Sequence, residues 1–336
     1  MLVERKRGLV FPLTTLRSPF PAFGSCRMRL GRSESENDVS AHGSALVFPC
    51  IWIMQERLGR SESENDVFVL ALRSPFTTFV PMKVIKIGGN VIDDPQALAR
   101  FEADFARMPG EKVLVHGGGK LATALSKTLG IETRMVAGRR VTDRQTLDVV
   151  TMVYAGLINK NVVAALQAQG CNAIGMSGAD AGTILSHRRT TGEVDYGFVG
   201  DVDRVDAEGI LALSRAGFTP VFCAITHDGQ GSLLNTNADT VASEIAKALA
   251  ARVETELVFC FEKPGVLSDP EDDTSVIARI DAAAFERLRA EGTVSGGMLP
   301  KLENAFAALR CGVKKVIIAS PAFVASPQVP HTEIVP

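Results

Sequence analysis

From residue 82 onward, short apolar runs alternate with amphipathic stretches. The runs at 83–87, 112–116, 171–176, 219–225, 255–261, 314–319 and 332–335 read as strands. Between them, helical periodicity covers 95–107, 119–129, 143–169, 206–216, 238–250, 281–291 and 297–310. Punctuation fits these bounds: Asp93 or Asp94 caps and Pro95 starts the first helix, Gly130 stops the second, Thr142 or Asp143 caps the third and Gly170 ends it. A β-hairpin is expected at 133–142, and a polar one at 183–205 with its turn at Thr191-Gly192. Such alternation predicts an α/β fold whose mostly parallel sheet is covered on both faces.

Residues 1–81 break the pattern. Arg-Leu-Gly-Arg-Ser-Glu-Ser-Glu-Asn-Asp-Val occurs identically at 29–39 and 57–67, and Leu-Arg-Ser-Pro-Phe at 16–20 recurs at 72–76. Folded repeats drift while keeping their apolar pattern, so an identical copy without heptad or solenoid signature suggests duplicated DNA read through. The expectation is a non-native or disordered extension, with the folded protein starting at Met82.

Composition narrows the function. The 336 residues are 46% apolar, enough for a large core, and a formal charge of −2 gives no field for a polyanion, which argues against nucleic acid. The six cysteines have neither metal spacing nor a disulfide framework. They read as thiols in a reducing, cytoplasmic compartment, with Cys171, Cys223, Cys260 and Cys311 in apolar settings. No stretch of about 18 uncharged apolar residues is present, so no membrane partner is expected.

The chemistry concentrates at Met-Lys-Val-Ile-Lys-Ile-Gly-Gly-Asn (82–90) and Val-Leu-Val-His-Gly-Gly-Gly-Lys (113–120). In each, an apolar strand runs into glycines, and Gly88, Gly89, Gly117, Gly118 and Gly119 let a polyphosphate approach bare N–H groups at a strand-to-helix turn. Lys86 lies on the strand face opposite Ile85 and Ile87, at the end of the strand where open parallel sheets place ligands. Gly117-x-Gly119-x-x-Ala122 also satisfies a degenerate dinucleotide fingerprint, but no acidic residue ends a following strand about 20 residues on. Leu121 after Gly119-Lys120 excludes a Walker loop.

With these pieces placed, the chain resembles the amino acid kinase family, and within it the members that phosphorylate N-acetyl-L-glutamate. The resemblance rests on Lys-Ile-Gly-Gly (86–89), His-Gly-Gly-Gly (116–119), Gly-Arg-Arg-Val-Thr (138–142), Leu-Leu-Asn-Thr-Asn-Ala-Asp (233–239) and Gly-Met-Leu-Pro-Lys-Leu-Glu-Asn-Ala (297–305), in family order over nearly all of 82–319. It implies a three-layer αβα sandwich with an open, mainly parallel eight-stranded sheet. It also implies an acylamino-acid lobe at about 82–230, an ATP lobe at about 231–336, and a homodimer. The implied reaction is ATP-dependent phosphorylation of the γ-carboxylate of N-acetyl-L-glutamate in arginine synthesis, with N-succinylglutamate or carrier-linked aminoadipate as other acceptors and a catalytically inactive regulator as a further alternative.

The residue types suit that chemistry. A carboxylate acceptor is already ionised near neutral pH, so the site needs cations and N–H groups for developing charge rather than a base. The resemblance assigns this work to Lys86 and Lys301, with Asp239 aligning them. Arg140, with Arg139 as its neighbouring rival, and Asn235 would hold the acylamino acid, Gly117 and Gly118 would serve both substrates, and Gly88, Gly89 and Gly119 would face the ATP phosphates. No protein metal ligand is apparent, so Mg²⁺ would be held mainly by the nucleotide. Glu262-Lys263 departs from the family's usual aspartate-containing motif and leaves the base contacts open. Arginine-inhibited relatives form hexamers through a helix ahead of the first strand. Here Pro75 and Pro81 interrupt 68–81, so that helix is not expected.

Overall fold

Strand β1 (Met82–Ile87) lies inside an eight-stranded sheet that every other element serves. The structure, a computed structural model, describes residues 80–136, 139–190, 194–294 and 298–336. After β1 come α1 (Gly89–Asp93), α2 (Pro95–Arg107), β2 (Lys112–His116) and α3 (Gly119–Thr128). The pair β3 (Met135–Val136) and β4 (Arg139–Arg140) precedes α4 (Arg144–Thr151), which continues through a π-helical stretch (Met152–Ile158) into α5 (Asn159–Ala168). Next are β5 (Ala173–Met176), β6 (Ile184–Arg188), β7 (Gly200–Val205), α6 (Ala207–Arg215), β8 (Thr219–Cys223), β9 (Ile225–His227) and β10 (Leu233–Asn235). The chain finishes with α7 (Ala238–Ala250), β11 (Thr255–Cys260), β12 (Arg279–Ile280), α8 (Ala282–Ala290), α9 (Met298–Arg310), β13 (Lys315–Ala319) and β14 (His331–Ile334).

The main sheet runs β12-β14-β13-β11-β1-β2-β8-β5, parallel except between β13 and β14. Strand alternation divides its side chains cleanly. Val84, Val113, Val115, Leu257 and Phe259 pack under α6, α7, α8 and α9, whereas Ile85, Ile87, Leu114 and Val258 pack under α2 and the helical run from α4 to α5. Both faces are therefore buried, and the αβα sandwich with eight mainly parallel strands stands as expected. Asp94 caps α2 by accepting from the N–H groups of Gln96 and Ala97, with Pro95 at the first helical position, and Asp143 caps α4.

Some expectations need correction. The stretch at 219–225 splits after Cys223: the Ala224 carbonyl accepts from Thr236 N–H, and β9 leaves for a small sheet ordered β10-β9-β6-β7. The long helix carries the π stretch, for which periodicity gave no sign. That run, Arg144–Ala168, is long and apolar enough by composition to cross a membrane, but Leu147, Val150, Ile158, Val162 and Leu166 are buried in the core. Cys171, Cys223 and Cys260 are buried as anticipated, while Cys311 is exposed. The turn at Thr191-Gly192 and the extension up to residue 79 lie outside the described residues.

The small sheet is tied to β4 through Gly197. Phe198 N–H donates to the Thr142 carbonyl at 2.7 Å, and Gly197 reaches this position at φ +69°. A Cβ on Gly197 would lie 2.3 Å from that carbonyl oxygen, whereas one on Gly217, at φ +83°, would meet nothing within 4 Å. Both Gly→Ala changes carry the left-handed penalty, but only Gly197→Ala adds a backbone clash. Side-by-side thermal melts should show Gly197→Ala losing at least ~1 kcal/mol, or a few degrees, more than Gly217→Ala. Equal losses would contradict the close approach.

Candidate active site

Alternation along β1 decides where its lysine goes. Val84 faces α7 and α9, so Lys86 two residues on points the same way and meets Asp239 in the first turn of α7. Lys86 Nζ lies 2.7 Å from Asp239 Oδ1, and Lys301, in the first turn of α9, donates to Oδ2 at 3.2 Å. One carboxylate thus bridges two ammonium groups from separate elements, with Lys86 and Asp239 side chains only 11% and 13% exposed. Burial alone would raise the Asp239 pKa, but the two lysines outweigh it and hold the carboxyl below its ordinary range. Asn237 caps α7 by accepting from the N–H groups of Asp239 and Thr240, which fixes the backbone that carries the carboxylate.

Glycine loops close in from the opposite side. Gly88 N–H donates to the Cys260 carbonyl at 2.9 Å, Gly89 opens α1, and Gly117–Gly119 lead from β2 into α3. A Cβ on Gly118 would come within 2.2 Å of Ile158 Cδ1 and 3.0 Å of the Tyr154 ring, so the loop lies against the π-helical stretch at a distance that glycine allows. His116 pins this loop. Its Nδ1 donates to the Gly117 carbonyl at 2.9 Å, and Nε2 accepts from the Asn159 amide at 3.1 Å, which also donates to Val221 O at 2.9 Å. Complete burial pushes His116 down to about 4, so the ring is neutral at ordinary pH.

These groups surround a cavity of about 260 Å³. Of the residues singled out from sequence, Lys86, Gly89, Gly117, Gly118 and Gly119 line it, and so do Arg140 and Asn235. Gly88, Asp239 and Lys301 do not: Gly88 packs against β11, and the carboxylate bridge links Lys86 to Lys301 beside the cavity. Asn235 donates through Nδ2 to Thr142 Oγ1 at 3.0 Å. Arg140 is 8% exposed and braces its strand against α3, donating to Gly119 O at 3.0 Å, Thr123 Oγ1 at 2.8 Å and Thr133 Oγ1 at 3.3 Å. Those three bonds use three of the five guanidinium N–H groups.

Sequence reasoning did not single out three neighbours on the cavity wall: Tyr154, Arg189 and Asp201. Arg189 and Asp201 sit across β6 and β7 as a bidentate pair, Nε lying 3.1 and 3.0 Å from the two carboxylate oxygens. The polar character of 183–205 was the available signal, but strand pairing was needed to bring the two together. A second cavity of about 170 Å³, with Val266, Leu267, Pro270, Val294 and Met298 on its wall, opens at the start of α9. Lys263 lines it and pairs with Asp273 at 2.8 Å, whereas Glu262 faces a separate cavity beside α2. Among the described residues no cluster of three or more His, Cys, Asp or Glu side chains could hold a metal ion.

The sequence pattern of the amino acid kinase family matches residues 81–320. This chain belongs to the amino acid kinase family. Acetylglutamate kinase from Bacteroides fragilis is 55% identical over 237 residues, 70% of this chain and 91% of that protein. Acetylglutamate kinase from Methanopyrus kandleri is 43% identical over 243 residues, covering 71% and 95%. The crystal structure of N-acetylglutamate synthase from Neisseria gonorrhoeae, complexed with coenzyme A and N-acetyl-glutamate, superposes with TM-score 0.66 at 19% identity, over 76% of this chain and 59% of that one. At that identity the likeness speaks for the amino acid kinase fold alone.

The neutral His116 makes stability depend on pH. Its folded pKa lies near 4, below the unfolded value of about 6.5, so its contribution is full above about 6.5 and is lost as pH falls toward 4. Glu102, raised to about 7 by burial, works in the opposite sense over a similar range, so a variant comparison is needed. In denaturant titrations between about pH 7.5 and 5, wild-type stability should fall more steeply than that of His116→Gln. Parallel declines would show that the buried imidazole is not what titrates.

Proposed function

We propose that this protein transfers the γ-phosphoryl group of ATP to the side-chain carboxylate of N-acetyl-L-glutamate, giving N-acetyl-L-glutamyl 5-phosphate, the second step of arginine biosynthesis. The observation that carries this reading is the Lys86–Asp239–Lys301 bridge beside a glycine-lined cavity. Its match to relatives called acetylglutamate kinase selects the acceptor. A carboxylate oxygen attacks the γ-phosphorus, the bond to the β,γ-bridging oxygen breaks, ADP departs and no proton moves. Negative charge spreads over the transferring group, and the two lysines with the N–H groups of Gly89, Gly117 and Gly119 meet it. Asp239 holds the lysines apart and in place, so they need not reorganise as charge develops. A protein that only bound amino acid or nucleotide would have no use for both.

The acceptor would lie in the cavity lined by Lys86 and Arg140, with Asn235 and the remaining N–H groups of Arg140 on its α-carboxylate. The nucleotide base would occupy the apolar cavity at the start of α9, in keeping with a proposed acylamino-acid lobe at about 82–230 and ATP lobe at about 231–336. Mg²⁺ would travel with ATP, since both Asp239 oxygens are engaged by lysines and, among the described residues, no cluster of metal-ligating side chains stands ready. A cytoplasmic location is part of this reading, supported by the buried free thiols of Cys171, Cys223 and Cys260, and cell fractionation tests it.

A coupled ADP-release assay tests the reaction. Lys86→Ala and Lys301→Ala should each lower kcat by on the order of 10²-fold or more while moving KM far less, because their contacts strengthen in the transition state. A variant that kept most of its kcat would remove that lysine from the mechanism. A homodimer is also proposed: Met152 and Leu157, each 54% exposed, project from the long helix, and Leu129, 52% exposed, caps the end of the neighbouring α3. Light scattering should give a dimer for the wild type and a monomer for Leu157→Glu; a wild-type monomer would refute the assembly.

A further inference from the structure

Tyr154 lines the cavity with a polar group that the phosphoryl-transfer chemistry leaves unused. It stands in the π-helical stretch Met152–Ile158, where an extra residue in the turn re-aims the side chains, a distortion frequent at functional sites. The residue is 6% exposed and its ring lies against the glycine loop. A Cβ on Gly118 would come within 3.0 Å of that ring, and one on Gly119 would stand 4.0 Å from the Tyr154 hydroxyl. The ring belongs to the core cluster beneath the sheet, while the hydroxyl end reaches the cavity. An aliphatic side chain would fill the same space, whereas a buried phenol needs a partner for its O–H.

The charged neighbour of that hydroxyl is Arg140. A guanidinium carries only donors, so Arg140 can meet the phenol oxygen but cannot take its proton. Among the described residues no other side chain shares a hydrogen bond with the Tyr154 hydroxyl, so the proton is directed into the cavity. Burial pushes the phenol above its ordinary value and Arg140 opposes this, so the group keeps its proton at neutral pH. Two donors, one of them charged, therefore meet at one corner of the cavity. Such a corner calls for an anion. Under the proposed reading that anion is the α-carboxylate of the acceptor, whose two oxygens offer about four lone-pair sites and leave room for a donor beyond Arg140 and Asn235.

We propose that Tyr154 is a further acceptor-binding residue, its hydroxyl donating a hydrogen bond to an oxygen of the α-carboxylate of N-acetyl-L-glutamate beside Arg140. This rests on the reading of the site as an N-acetylglutamate kinase and adds a donor to its substrate contacts. An ionised carboxylate takes a short, charge-assisted bond from a phenol, and the neutral donor sharpens recognition without adding charge to a site that already holds two lysines and an arginine.

The test uses the full chain with ATP and measures ADP release with N-acetyl-L-glutamate in wild type and in Tyr154→Phe, which removes the hydroxyl and keeps the ring against Gly118. KM for the acceptor should rise about tenfold or more, the loss expected for one hydrogen bond to a charged group. Both kcat and KM for ATP should stay within about twofold, as for a contact made equally in ground and transition states. A second readout is spectroscopic, because the chain has two tyrosines, Tyr154 and Tyr196. Adding N-acetyl-L-glutamate should give a tyrosine ultraviolet difference spectrum in wild type and in Tyr196→Phe, and none in Tyr154→Phe. An unchanged acceptor KM in Tyr154→Phe would overturn the proposal and leave the kinase reading standing. A loss confined to kcat would overturn it by placing the hydroxyl on the transferring phosphoryl group. A raised acceptor KM without any difference spectrum in wild type would overturn it by reducing Tyr154 to a brace for Arg140. Absence of ADP release from wild type would instead defeat the kinase reading on which the proposal rests.

Discussion

A single buried carboxylate with a lysine on each oxygen constrains the rest of this structure. Lys86 and Lys301 come from a strand and from a helix far apart in sequence, and without Asp239 their ammonium groups would repel across a poorly solvated space. Desolvating three charges is expensive, so the arrangement is weak evidence for stability and better evidence for function. Net charge at the bridge is positive, which suits a site that receives a polyphosphate and a carboxylate. The sheet supplies the rigidity: β1 is hydrogen-bonded on both sides by parallel neighbours, β2 and β11. Asn237 fixes the first turn of α7, so the carboxylate and its partners are held by elements that cannot shift independently.

The glycine loops are the complementary half. They bring N–H groups to the cavity without side chains that would fill it, and the loop from β2 is locked by His116 on one side and by the π-helical stretch on the other. Keeping the imidazole neutral matters here, because a buried cation would repel the nearby Lys160 and turn Nε2 from an acceptor of the Asn159 amide into a donor facing it. The same histidine that makes the loop precise makes it sensitive to acid.

The parts of this fold legible in the sequence were those written in local pattern. A fully buried strand such as β11 announces itself by its apolar run Leu257–Cys260, and Asp94-Pro95 or Gly130 mark helix ends by backbone chemistry alone. Lys86 could be aimed because strand alternation is strict, and its pairing with Asp239 followed from a motif resemblance. Tertiary features escaped. The break after Cys223 depends on Thr236 claiming the Ala224 carbonyl, and the π stretch depends on how Tyr154 and Ile158 receive Gly118. Arg189 and Asp201 meet only because β6 and β7 pair, and Arg140 turned out to brace α3 as well as face the cavity.

The central claim is that both lysines act on the transferring phosphoryl group while Asp239 holds them. The most direct measurement is a crystal structure of the protein with Mg-ADP, aluminium fluoride and N-acetyl-L-glutamate. The account predicts both lysine Nζ atoms within hydrogen-bond distance of the fluoride ligands, Asp239 still touching each lysine, and the Gly117–Gly119 N–H groups directed at the same centre. A complex in which Asp239 left the lysines to bind the metal, or in which one lysine faced solvent, would contradict it.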